Sequence, residues 1–201
     1  MVKLKALSGG KATPAPTVSR GAEPPDEPEL LEHAERLRDA VKLYSARVFR
    51  VLRRAGLGAS DAEDAAQDVF WILAQRVRDV PPRAELSFLL TTALRVAADR
   101  RRSVWHRSVT EPLDPSWPST LPPQDEALGL RQRLGFLDRA LELLEPAERA
   151  VFVLAELEEL TREQTAAILS IPEGTVATRL RKARVTFERA VARLLRETPK
   201  P

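Results

Sequence analysis

Apolar residues in this chain recur every three or four positions, the spacing that lines one face of an α-helix, and nowhere do they alternate singly as in a half-buried strand. Leu30, Ala34, Leu37, Val41, Val48 and Leu52 predict a long first helix that ends near Gly56-Leu57-Gly58. Ser60-Asp61-Ala62-Glu63 has the order of a capping box and is expected to open a second helix. That helix runs through Val69, Phe70, Ile72 and Leu73 towards Val80 and stops at Pro81-Pro82. A third begins near Glu85, takes in Phe88, Leu89, Ala93, Val96 and Ala97, and leaves through Arg100-Arg101-Arg102. Between 103 and 123 the prolines at 112, 115, 118, 122 and 123 exclude a helix. Periodicity resumes near Gln124 and lasts to about Arg196, with Pro146 starting a new helix after Leu143-Leu144-Glu145. The expectation is an all-α protein of two small helical domains, 29–102 and 124–197, joined by a flexible Pro-rich linker, 103–123. Residues 1–28, with Gly9-Gly10, scattered prolines and few large apolar groups, read as a disordered tail.

Near the C-terminus the pattern carries chemistry. Ala166, Leu169, Ile171, Val176 and Leu180 are the inward positions of two short helices joined by a tight turn, and Pro172 suits the first position of the second. From Val176 the inward face continues through Leu180, Ala183, Phe187 and Leu194. The opposite side carries Thr175, Thr178, Arg179 and Lys182, flanked by Arg181 and Arg184. A solvated helix face mixes signs. Here Arg179, Arg181, Lys182, Arg184, Arg189, Arg193, Arg196 and Lys200 face only Glu188 and Glu197. A helix apolar behind and Thr/Arg/Lys in front suits a DNA major groove. Gly174 and Thr175 in its first turn can bring backbone N–H groups to a phosphate.

Composition narrows the class. The chain has 201 residues, 43% of them hydrophobic and 30% charged, with a net charge of +3, so its overall charge does not mark a polyanion binder. With no Cys there are no disulfides or thiolate metal sites, and His33 and His106 lack a ligand spacing. No cofactor is called for. Neither a signal peptide nor a membrane-length apolar run is present, which points to a soluble cytoplasmic protein. Glu156, Glu158 and Glu159 cluster, but with no His or metal-ligand pattern beside them they read as solvated charges rather than as a catalytic group.

Three segments taken in order resemble bacterial sigma factors of the extracytoplasmic-function group, the compact two-domain members of the sigma-70 family. The likeness spans roughly residues 40–102 and 128–195. DAEDAAQDVFWILAQR, Asp61 to Arg76, is similar to that family's polymerase-binding helix. SFLLTTALRVAADRRR, Ser87 to Arg102, is similar to the helix that grips and opens the downstream promoter element. LEPAERAVFVLAELEELTREQTAAILSIPEGTVATRLRKAR, Leu144 to Arg184, is similar to the domain that reads the upstream element.

The resemblance implies roles for individual residues. Acidic Asp64 and Asp68, with Gln67 and Trp71 beside them, have the wrong sign for DNA and would dock on core RNA polymerase. Arg83, Ser87, Phe88, Arg95, Arg100 and Arg101 would serve the downstream element, with the pocket for a flipped base in the loop from Pro82 to Ser87. Unstacking a base costs a few kcal/mol, part of which a cationic grip can offset. Phe88 stands where the family commonly has Trp, and Arg95 where it commonly has Asn, so the base preference stays open. Gly174, Thr175, Thr178, Arg179, Arg181 and Lys182 would serve the upstream element. Ser170 stands where the family's turn generally has Gly, and a left-handed residue other than glycine costs roughly 1 kcal/mol, which is tolerable.

The function implied is a transcription initiation factor, without covalent chemistry, whose partners are core RNA polymerase and promoter DNA. Family habit adds an anti-sigma factor. The free protein is expected to be a monomer. Two other readings remain open from the residues: a stand-alone helix-turn-helix regulator, which would dimerise over two half-sites, and a protein-only helical adaptor.

Overall fold

In the computed structural model the described residues are 27–108 and 134–197, and all their regular structure is helical. The first group holds α1 (Glu27–Arg54), α2 (Ala59–Arg76) and α3 (Glu85–Ser108). In α2 the inward positions are Ala62, Ala65, Val69 and Leu73, one stripe at three- and four-residue steps. Its alanines let the helix sit close against Val48 and Leu52 of α1 and against Leu89 and Ala93 of α3. Gly56 turns the chain between α1 and α2 at φ 104°, a conformation that suits glycine alone, and the Leu57 N–H returns to the Leu52 carbonyl. At the far end, Arg36 of α1 donates to the Val77 and Val80 carbonyls and pairs with Glu85 at 2.5 Å. The guanidinium thereby satisfies carbonyls left over at the end of α2 and ties it to the start of α3. Burial is the largest single influence and opposes ionisation of Glu85, but the Arg36 hydrogen bond and charge together with backbone N–H donors outweigh it and hold the carboxyl below the ordinary glutamate range.

Two boundaries differ from expectation. The helix α2 starts at Ala59 with Gly58 as its N-cap and no side-chain cap, so Ser60 already lies inside the helix and the expected capping box does not form. Likewise α3 runs on to Ser108, because the linker's first proline comes only at Pro112. The rest of the expected linker and nearly all of the expected tail lie outside the described residues.

The second group holds α4 (residues 134–142), α5 (Pro146–Phe152), a π-helical turn (Val153–Leu157), α6 (Arg162–Leu169) and α7 (Glu173–Glu197). Pro146 sits in the first turn of α5, where its missing N–H costs nothing. Thr161 caps α6 through a reciprocal bond with Gln164. Ser170 then takes the left-handed conformation, φ 53° and ψ 46°, which turns the chain into α7. Val151, Ala166 and Val176 bury the crossing of α6 and α7, with Leu169, Ile171 and Leu180 around them. Pro172 stands just outside α7, and its carbonyl accepts from the Thr175 and Val176 N–H groups.

A seam joins the two helical groups. Val51 of α1 and Leu90 of α3, both fully buried, belong to one apolar cluster with Leu141, Leu144, Phe152, Val153, Leu154, Ile168 and Ala183. This is a shared core rather than a surface contact. Polar contacts frame it: Arg53 pairs with Asp138 at 3.3 Å, and the Arg149 Nε donates to the Arg54 carbonyl at 2.5 Å.

Glu158 departs from expectation. Far from being solvated, its side chain is 2% exposed and meets Arg47 at 2.9 Å, Arg54 at 2.8 Å and Arg50 at 3.5 Å. The π-turn explains the miss. Its extra residue per turn takes Glu158 off the face that regular helical spacing would assign and aims it into the seam. Glu156, by contrast, pairs with Arg184, and Glu159 is exposed.

Candidate nucleic-acid and protein interfaces

The first two and a half turns of α7 bury Val176 on their inner side and present the opposite side outward. Gly174 is exposed, and a Cβ added there would meet nothing within 4 Å, so the glycine leaves an open approach to the helix start. The Thr178 hydroxyl donates to the Gly174 carbonyl at 2.9 Å and stays exposed. Thr175 and Arg179 are half-buried and Arg181 is exposed. Neither arginine makes a hydrogen bond or ion pair with another described side chain. Lys182 is different. Its ammonium lies 2.5 Å from Glu148, a buried carboxylate of α5, and that hydrogen bond raises its pKa. Arg179 and Arg181 are thus the uncommitted cations of this face, and Lys182 must leave Glu148 or share it to reach a phosphate.

On α2, Asp64, Gln67, Asp68 and Trp71 are all exposed. Their spacing puts them on one side of the helix. Trp71, two-thirds exposed, is a large apolar ring with no core to join. An exposed Trp amid carboxylates suits a protein partner better than a polyanion.

The downstream candidates do not form one surface. Ser87 and Arg95 are exposed, whereas Phe88 is half-buried against the first core. Arg83 is exposed and held at φ 71°, a strained setting for a residue with a Cβ. It borders a cavity of about 370 Å³ together with Glu32, Arg36, Asp39, Leu43 and Tyr44. Arg100 donates to the Asp61 carbonyl and pairs with Asp68 at 2.5 Å, joining a downstream candidate to a polymerase candidate. Arg101 donates to the Ala55 carbonyl at 3.2 Å and faces the seam.

Sequence reasoning missed Glu148, Arg149 and Glu158. The first two carry a readable signal: on α5 they fall on the same inward face as Val151 and Phe152, and both are buried. Glu158 carries none, for the reason already stated.

Comparison with known proteins gives a consistent picture. The family model described as sigma-70, region 4 matches residues 137–187, from α4 into α7. The ECF RNA polymerase sigma factor RpoE of Cereibacter sphaeroides is 32% identical over 143 residues, covering 70% of this chain and 77% of that protein. The ECF RNA polymerase sigma factor SigE of Mycolicibacterium smegmatis is 31% identical over 163 residues, covering 80% of this chain and 63% of that one. Among solved structures, CnrH in complex with the cytosolic domain of CnrY has a TM-score of 0.61 at 19% identity, covering 84% of this chain and 97% of its own. The sigma factor RpoE with the anti-sigma factor NepR from Bartonella quintana has a TM-score of 0.63 at 18% identity, covering 77% and 96%. At such identities these structures speak for the fold.

Proposed function

The chain belongs to the ECF RNA polymerase sigma factors, and from that membership we propose a division of labour among its surfaces. The protein binds core RNA polymerase and directs it to promoters. The face of Asp64, Gln67, Asp68 and Trp71 docks on the polymerase. The start of α7 reads the upstream element through Gly174, Thr175, Thr178, Arg179, Arg181 and Lys182. Residues 29–102 carry polymerase docking and downstream opening, with Arg83, Ser87, Phe88, Arg95, Arg100 and Arg101 as the downstream group, and 124–197 carry upstream reading. The work is binding, with no covalent step, and it belongs in the cytoplasm with the polymerase. An anti-sigma factor is a further partner.

The observation that carries this reading is the separation of signs. An exposed acidic face with an unpartnered Trp lies on α2, while uncommitted cations stand on the open turns of α7. A stand-alone regulator has use for the second surface and none for the first. The test is run-off transcription with purified core polymerase on genomic fragments, with wild type, Trp71→Ala and Asp64→Lys. The expected result is promoter-specific transcripts with wild type, and reduced core binding in both variants with unchanged circular dichroism. A free protein that dimerises and binds a palindrome tightly without polymerase would favour the regulator instead.

A further inference from the structure

Along the seam lies a half-open hollow of about 440 Å³ whose walls come from both helical groups. Leu94, Ala97 and Ala98 of α3 form one side, and Pro146, Ala150 and Val153 the other. These walls are apolar and small, which leaves room. Three arginines line the same space, Arg149, Arg101 and Arg102, the last of them already paired with Asp99.

Arg149 is 3% exposed. A charge so buried normally meets a carboxylate, because the cost of desolvation is several kcal/mol. Arg149 has no such partner among the described residues. Its Nε donates to the Arg54 carbonyl, which caps the end of α1, and this accounts for one of its five N–H donors. The rest have no acceptor among the described residues, and none of these nitrogens is fully buried, so they open onto the hollow. Its charged neighbours in the cavity are both of the same sign: Arg101, which spends one donor on the Ala55 carbonyl, and Arg102, which Asp99 neutralises. Burial, and then the Arg101 charge, lower the Arg149 pKa to about 10. Asp138 and Glu142 lie near enough to oppose this without forming an ion pair with it. The capping role explains the Arg149 Nε. It does not explain why two like charges converge on an apolar hollow with donors to spare.

We infer that the seam cavity is a binding site for a small carboxylate with an apolar body, its head taken by Arg149 and Arg101 and its body lying on Leu94, Ala97, Ala98, Ala150 and Val153. A carboxylate matches the two-pronged geometry of a guanidinium and supplies the missing negative charge. Because both groups furnish the walls, such a ligand binds the closed arrangement better than a separated one. By linkage it stabilises that closed arrangement. The inference rests on the seam alone and stands apart from the transcriptional reading.

The experiment uses the full chain without polymerase or DNA. Thermal melting and calorimetric titration are run with decanoate and naphthoate, against decanol, which has the body without the charge, and acetate, which has the charge without the body. Decanoate or naphthoate should bind at one site per chain and raise the melting temperature, with decanol and acetate far weaker. Arg101→Met should weaken the carboxylate by about tenfold, the loss of a charge-assisted contact, while leaving decanol unchanged. Ala98→Trp, which fills the hollow from a position exposed at its rim, should remove binding of both. Each variant is first shown to melt cooperatively, and either suffices if the other does not fold. No saturable binding to wild type up to about 5 mM, weaker than any specific site of this size, would overturn the inference. So would carboxylate binding that a folded variant leaves unchanged.

Discussion

Replacing Glu158 tests the seam most directly. Its carboxylate is 2% exposed and faces three guanidinium groups within 3.5 Å. Arg47 also donates to its backbone carbonyl at 2.6 Å, a contact that survives side-chain replacement. Removing one member of a buried ion pair costs 3–5 kcal/mol, largely because the charge left behind is stranded. Here the arginines are partly exposed, at 26%, 49% and 18%, and can turn to water, so the low end applies. Glu158→Ala should therefore lose about 3 kcal/mol. Glu158→Gln keeps an acceptor but no charge, and should lose roughly half of that. For a chain of this size, about 3 kcal/mol corresponds to a fall in Tm of roughly 6–12 °C. The loss should grow at low ionic strength, since Arg47, Arg50, Arg53 and Arg54 then repel one another unscreened. The assay is scanning calorimetry with urea unfolding. Wild type should melt in one transition, because Val51 and Leu90 belong to a core shared by both groups. Glu158→Ala should melt earlier and begin to divide into two transitions. The neighbouring Glu159→Gln, on an exposed side chain, should change little and serves as the control. A wild type that already melts in two steps, or a Glu158→Ala shift of under about 1 °C, would refute a shared core latched by this carboxylate.

Four further outcomes are expected. Arg179→Ala should cost about 1–3 kcal/mol at one base pair of the upstream element, because Arg's fork matches guanine's paired acceptors. Lys182→Ala should weaken all sequences alike and reduce the salt slope by about one unit, and less if Lys182 keeps its bond to Glu148; initiation across single-base variants at two salt concentrations separates the two. The depressed pKa of Glu85 means that its contribution is present above the unfolded value, about 4.3, and is lost as pH falls through the lower folded value. Glu85→Gln should flatten that part of the acid limb of Tm against pH. Ser170→Gly should raise stability by roughly 0.5 kcal/mol, the relief of left-handed strain less glycine's extra unfolded-state entropy, measured by urea unfolding.

Much of this protein was legible in its sequence because helices declare themselves locally. Three- and four-residue apolar spacing located α1, α2 and α3 and the two helices of the helix-turn-helix. Pro81-Pro82 marked the gap before α3, Pro146 the start of α5, and Ser170 the turn into α7. The acidic face of α2 and the basic start of α7 could also be read off, since exposure follows from lying opposite an apolar stripe. Where a neighbour thirty or a hundred residues away decides the outcome, local pattern carries no information. Arg100 looks like a free cation until Asp68 is brought beside it, and Lys182 until Glu148 is. The arginines of α1 look like a solvated run until the π-turn delivers Glu158 to them, which no regular period encodes. Whether two helical groups swing apart or share a core is likewise invisible to periodicity. It depends on Val51 and Leu90, apolar positions off the main stripes, finding Leu141, Phe152 and Ile168 across the seam. The sequence by itself determined which residues are helical and which faces are charged; only the tertiary structure decided which of those charges are free, because pairing is a property of distance and not of order along the chain.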